Sequence, residues 1–195
     1  MQTLTLSKTN ITYLIKFLVL LGIATGAPLL GFHSQWITGP IVNAALILTV
    51  FLLDIRAALI IGILPSTIAL STGLLPAPLA PMIPFIIISN SILVLLIDLI
   101  YHPELVSGST PKSQEMPNPP AGGRHDKKYW LGLLTGSGLK YLFLFFTSGL
   151  VIKLLLNAKV APTVAQVMSW PQFFTALIGG ILAFVILKII KKNEN

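Results

Sequence analysis

The feature that most constrains this chain is a long stretch, residues 57–97, without any aspartate, glutamate, lysine or arginine. A membrane-spanning helix needs about 20 consecutive, mainly apolar residues, so this stretch alone is long enough for two spans. The rest of the chain is similar, because 54% of all residues are hydrophobic and only 10% are charged, whereas soluble domains have about 25% charged residues. The sequence therefore predicts an all-α integral membrane protein.

Six apolar segments divide the chain, and together they predict a single domain built as a bundle of six transmembrane helices. The predicted spans are residues 12–32, 41–53, 57–75, 85–101, 129–156 and 173–190. Between the fourth and fifth spans, residues 102–128 are rich in proline, glycine, serine and charged residues. Because such a composition does not bury a core, this segment is predicted to be a flexible cytoplasmic linker.

Prolines and capping residues predict where the helices begin and bend. Residues 38–40, Thr-Gly-Pro, resemble a helix start with proline in the first turn, where its missing N–H is tolerated. Residues 169–172, Ser-Trp-Pro-Gln, resemble a capping box ahead of the sixth span. Pro65 predicts a kink in the third span. The four prolines of residues 76–84 predict a rigid turn instead of an α-helix.

The distribution of basic residues predicts the orientation in the membrane. With six spans, nine lysines and arginines fall on the side that holds both termini, whereas the other side has Lys159, with Lys153 close by. The nine are Lys8, Arg56, Lys112, Arg124, Lys127, Lys128, Lys188, Lys191 and Lys192. Because cytoplasmic loops are enriched in lysine and arginine, both termini are predicted to be cytoplasmic, with the protein in the cell membrane. The same rule explains the net charge of +7 without a nucleic-acid partner.

Lys140 is the most informative single residue, because it lies near the midpoint of the predicted fifth span. A lysine at the centre of a bilayer costs about 2.5–3.5 kcal/mol on insertion scales, so its ammonium group should face the bundle interior or a wet cavity. Ionisable residues at such positions are candidates for function. Lys140 is therefore a candidate substrate contact. The alternatives are snorkelling, or a structural pairing with Asp98 or with a backbone carbonyl.

Four further polar residues are predicted at depths compatible with Lys140. Asn43 and Asn90 lie two to three turns inside the second and fourth spans, counted from the outer side, and Ser71 and Thr72 lie near the outer end of the third. Taken singly, each side chain is best interpreted as an interhelical hydrogen bond. Their convergence with Lys140 instead predicts a substrate-binding site below the outer surface.

The outer loops supply the remaining candidates for this site. His33, Gln35 and Trp36 lie between the first two spans, and Trp170 precedes the last. Tryptophans at this depth commonly anchor a helix at the membrane interface. Alternatively, these side chains and the proline-rich turn of residues 76–84 form a lid over a cavity. His33, Gln35 and Trp36 are therefore included among the candidate substrate-binding residues.

The sequence does not indicate an enzyme. It has no cysteine, which excludes disulfides and thiolate metal ligands. Residues 132–140 contain glycines and a lysine, but they lack the spacing, the following Ser/Thr and the preceding strand of a phosphate-binding loop. Asp54, Arg56 and Asp98 lie at span ends, and neither carboxylate has an acidic partner at catalytic spacing. We therefore predict no catalytic residue, no cofactor and no metal.

Residues 36–88 also resemble part of a known protein family, most clearly in the stretches TGPIVNA (residues 38–44) and LLP (residues 74–76). Together with the chain length, the six spans and the cytoplasmic termini, they resemble the substrate-binding S components of energy-coupling factor (ECF) vitamin transporters. The resemblance implies capture of a vitamin-like small molecule from outside. It also implies docking on a module of one membrane coupling subunit and two ATPase subunits, which supplies the ATP site that this chain lacks.

The resemblance further implies a docking face on the first helix. ECF S components carry an A-x-x-x-A repeat there, whereas this chain has other small residues at the matching spacing, Gly22 with Gly26 and Ala27 with Gly31. Small residues allow helices to approach closely in a membrane. The alternative interpretation is a structural or assembly subunit of a larger membrane complex, which needs such small-residue stripes but no ligand cavity.

Overall fold

The structure, a computed structural model, describes residues 8–29, 34–102, 124–155 and 161–194. Within these ranges every regular element is a helix, which confirms the all-α prediction. The elements are α1 (Lys8–Leu29), α2 (Gln35–Leu52), α3 (Ile55–Ser71), a 3-10 helix (Ala77–Met82), α4 (Ile83–Tyr101), α5 (Arg124–Leu155), α6 (Ala161–Val167) and α7 (Trp170–Glu194).

Within the part of the chain that the structure describes, five helical segments are long and apolar enough to cross a membrane. They are Thr9–Leu29, Gln35–Leu52, Ala77–Tyr101, His125–Leu154 and Val164–Asn193. Many large apolar side chains on these helices are exposed, among them Leu18, Phe146 and Val185. Exposed apolar surface of this kind is expected where a helix faces lipid. The five helices fit a multi-pass membrane protein.

The third predicted span, residues 57–75, corresponds to the shorter helix α3. This helix has 17 residues, or about 25 Å at 1.5 Å per residue, whereas a typical hydrocarbon core is about 30 Å thick. It ends at Ser71 because Gly73 adopts a φ of +76°, the left-handed conformation that glycine accepts after a helix. The chain then folds back, and the N–H of Leu75 donates to the carbonyl of Ala69 at 2.8 Å.

The prolines of residues 76–84 interrupt the α-helical structure, as predicted. Ala77–Met82 form the 3-10 helix, and α4 begins directly after it at Ile83. Pro65 lies inside α3, where it is buried.

The two helix starts predicted from proline and capping patterns are wrong. α2 begins at Gln35, not at residue 41, because the carbonyl of Ser34 already accepts two N–H groups of the next turn, each at 3.1 Å. Pro40 therefore lies inside the helix. Before α7, the hydroxyl of Ser169 donates to the carbonyl of Gln166 at 2.8 Å. Because this hydroxyl does not cap the helix, the predicted capping box is not formed.

α5 also begins earlier than predicted, so residues 124–128 of the predicted linker are helical. Asp126 lies in the first turn, where the helix dipole favours a carboxylate. Its Oδ2 atom is 3.4 Å from the Nζ atom of Lys188 on α7. The rest of the predicted linker, residues 103–123, lies outside the described ranges. The short helix α6 has no counterpart among the predicted elements.

The helix α2 occupies the centre of the bundle. Every residue from Val42 to Phe51 is buried, and α2 packs against α1, α3, α4 and α7. α5 packs chiefly against α4 and also against α7. This arrangement brings side chains of α2 and α4 to the middle of α5.

Close helix contacts at glycines help to fix this arrangement, and the contacts at Gly179 and Gly136 are examples. At Gly179 of α7, a Cβ atom would lie 2.7 Å from the Cβ atom of Asn43 and 2.7 Å from the carbonyl oxygen of Pro40, both on α2. At Gly136 of α5, a Cβ atom would lie 3.1 Å from the carbonyl oxygen of Leu93 on α4. The missing side chains let the backbones approach. The contact at Gly179 also sets the position of Asn43.

Candidate functional site

A buried lysine connects three helices in the middle of the bundle. Lys140 lies midway along α5 and is 2% exposed. Its Nζ atom donates hydrogen bonds to the Oδ1 atoms of Asn43 and Asn90, both at 2.7 Å. Asn43 lies two turns into α2 and Asn90 two turns into α4. Lys140, Asn43 and Asn90, which the sequence predicts at compatible depths in their spans, therefore meet at one point.

The alternative pairing of Lys140 with Asp98 is wrong. The Oδ1 atom of Asp98 lies 3.0 Å from the Nδ1 atom of His102, one turn further along α4. Asp98 is also two turns beyond Asn90, or about 12 Å along the helix axis. Lys140 is therefore bonded to two neutral amide oxygens and not to a carboxylate.

The other described carboxylates also have partners elsewhere. Asp54 precedes α3 and accepts a hydrogen bond from the hydroxyl of Tyr13 at 2.7 Å. Asp126 is paired with Lys188. Among the acidic side chains that the structure describes, none bonds to Lys140. A buried ammonium group with only neutral partners is electrostatically unfavourable, because a charge in a medium of low dielectric needs compensation.

A cavity of about 120 Å³ adjoins Lys140, and we call it the Lys140 cavity. Its polar lining consists of Gln35, Thr38, Asn43, Ser66, Asn90, Lys140 and Gln172. Its other lining residues are Gly39, Val42, Pro65, Ala69, Leu74, Leu75, Ile86, Val167 and Met168. Ligand sites commonly combine mainly apolar walls with a few placed polar groups, as this cavity does.

Two glutamines lie at the end of the Lys140 cavity where α2 and α7 begin. The Nε2 atoms of Gln35 and Gln172 both donate to the carbonyl oxygen of Val167, each at 3.2 Å. Gln35 is among the predicted site residues. Gln172 is not, because its sequence position suggests a capping box. Gln172 lies in the first turn of α7, just as Gln35 lies in the first turn of α2. This shared position is the signal that could have identified Gln172 as a site residue.

The other predicted substrate-binding residues do not line the cavity. Trp36 is 45% exposed and packs against Trp170, with 5.2 Å between the ring centroids. The hydroxyls of Ser71 and Thr72 donate to a carbonyl of their own helix at 2.8 Å and 3.0 Å. Bonding within the helix satisfies both hydroxyls without a ligand. His33 lies outside the described residues.

An apolar cluster adjoins the cavity at the same end of the bundle. It contains residues of the turn after α3, of the 3-10 helix, of α5 and of the α6 region, namely Leu75, Leu79, Met82, Leu144, Val151, Val164 and Met168. Leu75 and Met168 also line the Lys140 cavity. The proline-rich segment is therefore packed next to the cavity.

The predicted docking residues on α1 differ in their surroundings. Gly22 is exposed and Gly26 half-buried, and a Cβ atom at either would have no neighbour within 4 Å. Ala27 is buried against the rest of the chain. Gly31 lies outside the described residues. Packing within the described part of the chain therefore does not explain why positions 22 and 26 are glycine.

No protein-family model, curated protein or solved structure matches this chain. Its function is therefore inferred from the residues and geometry of the Lys140 cavity.

Proposed function

We propose that this protein is the substrate-binding S component of an ECF-type uptake transporter. In this role it captures a vitamin-like small molecule from outside and docks on a membrane coupling subunit with two ATPase subunits. The observation that carries the proposal is the buried Lys140, held by Asn43 and Asn90 beside a cavity. A bundle with a purely structural role does not need a buried cation beside a cavity when no described carboxylate compensates its charge.

The position of the Lys140 cavity also supports uptake from outside. Its lining includes the start of α2, the turn after α3 and the start of α7. In a six-span arrangement these segments lie at the end of the bundle opposite to the termini. If the termini are cytoplasmic, a ligand enters from the outer side and reaches Lys140 near the middle of the membrane.

The proposal includes six spans with both termini in the cytoplasm. α3 provides the sixth crossing, because a short helix is accommodated by local thinning of the bilayer or by flanking polar residues. The charges support this orientation. Arg56 lies in the first turn of α3, and Lys191 and Lys192 lie in the last turn of α7, which places basic residues on the side of the termini.

Single cysteines should report this orientation. The chain has no native cysteine, so Ser34→Cys and Ser113→Cys each introduce one thiol. An impermeant maleimide added to intact cells should label Ser34→Cys and leave Ser113→Cys unlabelled until the membrane is permeabilised. Labelling of Ser113→Cys alone in intact cells would reverse the proposed orientation.

Docking through α1 should be sensitive to bulk at Gly26. Because a Cβ atom there meets nothing within 4 Å, Gly26→Leu should fit without disturbing the fold. It should nevertheless prevent the close backbone approach of a partner helix. We expect the variant to lose co-purification with the membrane coupling subunit and to retain its ligand affinity.

A matched control is available on α5. A Cβ atom at Gly138 also has no neighbour within 4 Å, so Gly138→Leu adds the same bulk to an open position on another helix. It should co-purify with the partner as the unmodified protein does. Equal recovery of the partner with Gly26→Leu and Gly138→Leu would show that α1 is not the docking face.

The proposed function as a whole is tested by purifying the tagged full-length protein from its native membrane. The expected assembly contains one membrane coupling subunit, two ATPase subunits and a bound small molecule. An assembly subunit of another complex would instead bring down the components of that complex and no small molecule. This second result would contradict the proposal.

A further inference from the structure

In its protonated form, the side chain of Lys140 has one hydrogen-bond donor to spare. A lysine ammonium carries three N–H donors, and two of them go to Asn43 and Asn90. Within the described part of the chain, these are its hydrogen-bond partners. Because Lys140 also lines the cavity, the third N–H is available to an acceptor on a ligand.

The two asparagines extend this set of donors. Their Oδ1 atoms are occupied by Lys140, so each side chain has its NH₂ group left as a donor. Neither NH₂ group donates to another described residue, and both residues line the cavity. This end of the cavity therefore offers N–H groups from three side chains, and it is complementary to a group that only accepts hydrogen bonds.

The charge of the site favours an anionic acceptor. Lys140 is the one charged residue among the described residues that line the cavity. A ligand with a single negative charge compensates the ammonium group in a region of low dielectric, where such an interaction is strong. A carboxylate matches both requirements, since it carries one charge and accepts several hydrogen bonds. A phosphate dianion would leave negative charge uncompensated, because there is one cation for two charges.

The rest of the cavity limits the size and polarity of the ligand. An apolar protein cavity of about 150 Å³ holds benzene, so a cavity of about 120 Å³ limits the enclosed apolar part of a ligand to one ring at most, or to a short chain. Val42, Ala69 and Ile86 provide apolar walls. At the far end, Gln35 and Gln172 use their NH₂ groups on Val167. Their side-chain oxygens are neutral acceptors, which suits an uncharged end of the ligand with an N–H or O–H group.

We infer that the Lys140 cavity binds a small monocarboxylate, with the carboxylate on Lys140, Asn43 and Asn90 and an apolar body no larger than about one ring. This inference rests on the proposed function, for which it specifies the substrate class. In this assignment the ligand carboxylate supplies the counter-charge that no described acidic side chain gives to Lys140.

Matched acid and amide probes test the inference on the purified full-length protein. The probes are benzoate with benzamide and nicotinate with nicotinamide, measured by calorimetry and thermal stabilisation. Each pair has the same ring, and only the acid has the charge. A charge-assisted hydrogen bond of 1.5–3 kcal/mol corresponds to a preference for the acid of about 10- to 150-fold. Equal binding of acid and amide, or no binding of either acid at about 1 mM, would overturn the inference.

An isosteric substitution provides an internal counter-charge. Asn90→Asp places a carboxylate oxygen where Lys140 now has an amide oxygen at 2.7 Å. We expect benzoate affinity to fall at least about tenfold, because the ammonium is already neutralised, and the melting temperature of the empty protein to rise. Lys188 lies outside the cavity, so Lys188→Met serves as a control that keeps benzoate affinity. Undiminished benzoate binding by Asn90→Asp would also overturn the inference.

The failure of this inference is distinguishable from failure of the proposed function. A neutral or cationic small molecule found bound to the natural protein, together with the ATPase module, would overturn the carboxylate assignment and leave the S-component proposal intact. Acid-selective binding without any transporter partner would support the carboxylate assignment and contradict the S-component proposal.

Discussion

Lys140→Met is expected to weaken binding of the co-purified ligand, or of benzoate in its place, by about 10- to 150-fold. This is the loss of one charge-assisted hydrogen bond, about 1.5–3 kcal/mol. Methionine preserves much of the length and apolar volume of the lysine, so the walls of the Lys140 cavity should remain. Calorimetric titration of the purified protein and its variant measures the difference directly.

The stability of the same variant separates a binding role from a structural one. Because the substitution removes a buried cation that has only neutral partners, the empty protein should melt at the same temperature or higher. Lys153→Met, at an exposed position of the same helix, should change neither affinity nor melting temperature.

Unchanged affinity combined with a lower melting temperature for Lys140→Met would assign the lysine a structural role. A structural pairing with Asp98 would additionally require rescue by Asp98→Asn. We expect no rescue, because Asp98 is bonded to His102.

Gly179→Ala is expected to reduce both stability and ligand affinity, because it forces α7 away from α2. The added Cβ atom would lie 2.7 Å from both the Cβ atom of Asn43 and the carbonyl oxygen of Pro40. Neither group is the end of a flexible side chain, so the backbones must separate. Overpacking of this kind typically costs about 1–3 kcal/mol. The displacement moves Asn43 relative to Lys140, so ligand affinity should fall as well.

Gly138→Ala is the control for this effect. A Cβ atom at Gly138 has no neighbour within 4 Å, so alanine should stabilise α5 slightly, by about 0.5–1 kcal/mol, as it does inside helices generally. The melting temperature should therefore fall for Gly179→Ala and rise slightly for Gly138→Ala, whereas ligand affinity should fall for Gly179→Ala and stay unchanged for Gly138→Ala. If Gly179→Ala melts no lower than Gly138→Ala, the close contact between α2 and α7 does not constrain the site.

The meeting of Lys140, Asn43 and Asn90 was predictable because depth in a membrane follows from the helix ends. An unpaired polar side chain in an apolar helix is unfavourable in free energy, so polar residues at similar depth tend to pair with each other. The sequence alone did not distinguish Asn90 from Asp98 as the partner on α4. The two lie on one helix, and the choice depends on how α4 is placed against α5.

The ends of the helices were less predictable, and this explains the other differences at the site. Ser71 and Thr72 are predicted at the cavity because they lie near the outer end of the third span, at a depth compatible with Lys140. The left-handed Gly73 ends α3 earlier, and both hydroxyls bond to the carbonyl of Ile68. Serine and threonine near the end of a helix commonly bond to a carbonyl of the same helix. The sequence pattern therefore did not decide between such a local hydrogen bond and a place at the cavity.

Gln172 shows a different limit of sequence patterns. The spacing of Ser169 and Gln172 satisfies the capping-box pattern, but both side chains bond to carbonyl groups at the end of α6. The short helix α6 places those carbonyls there, and it is too short for its apolar pattern to be recognised. The role of Gln172 therefore depends on an element that the sequence did not indicate.

Native mass spectrometry of the protein purified from its own membranes tests the central claim most directly. The unmodified protein should carry a small-molecule adduct, and Lys140→Met, purified in the same way, should have lost most of it while Lys153→Met retains it. No adduct on the unmodified protein, or equal occupancy in the unmodified protein and in Lys140→Met, would contradict a binding site at Lys140.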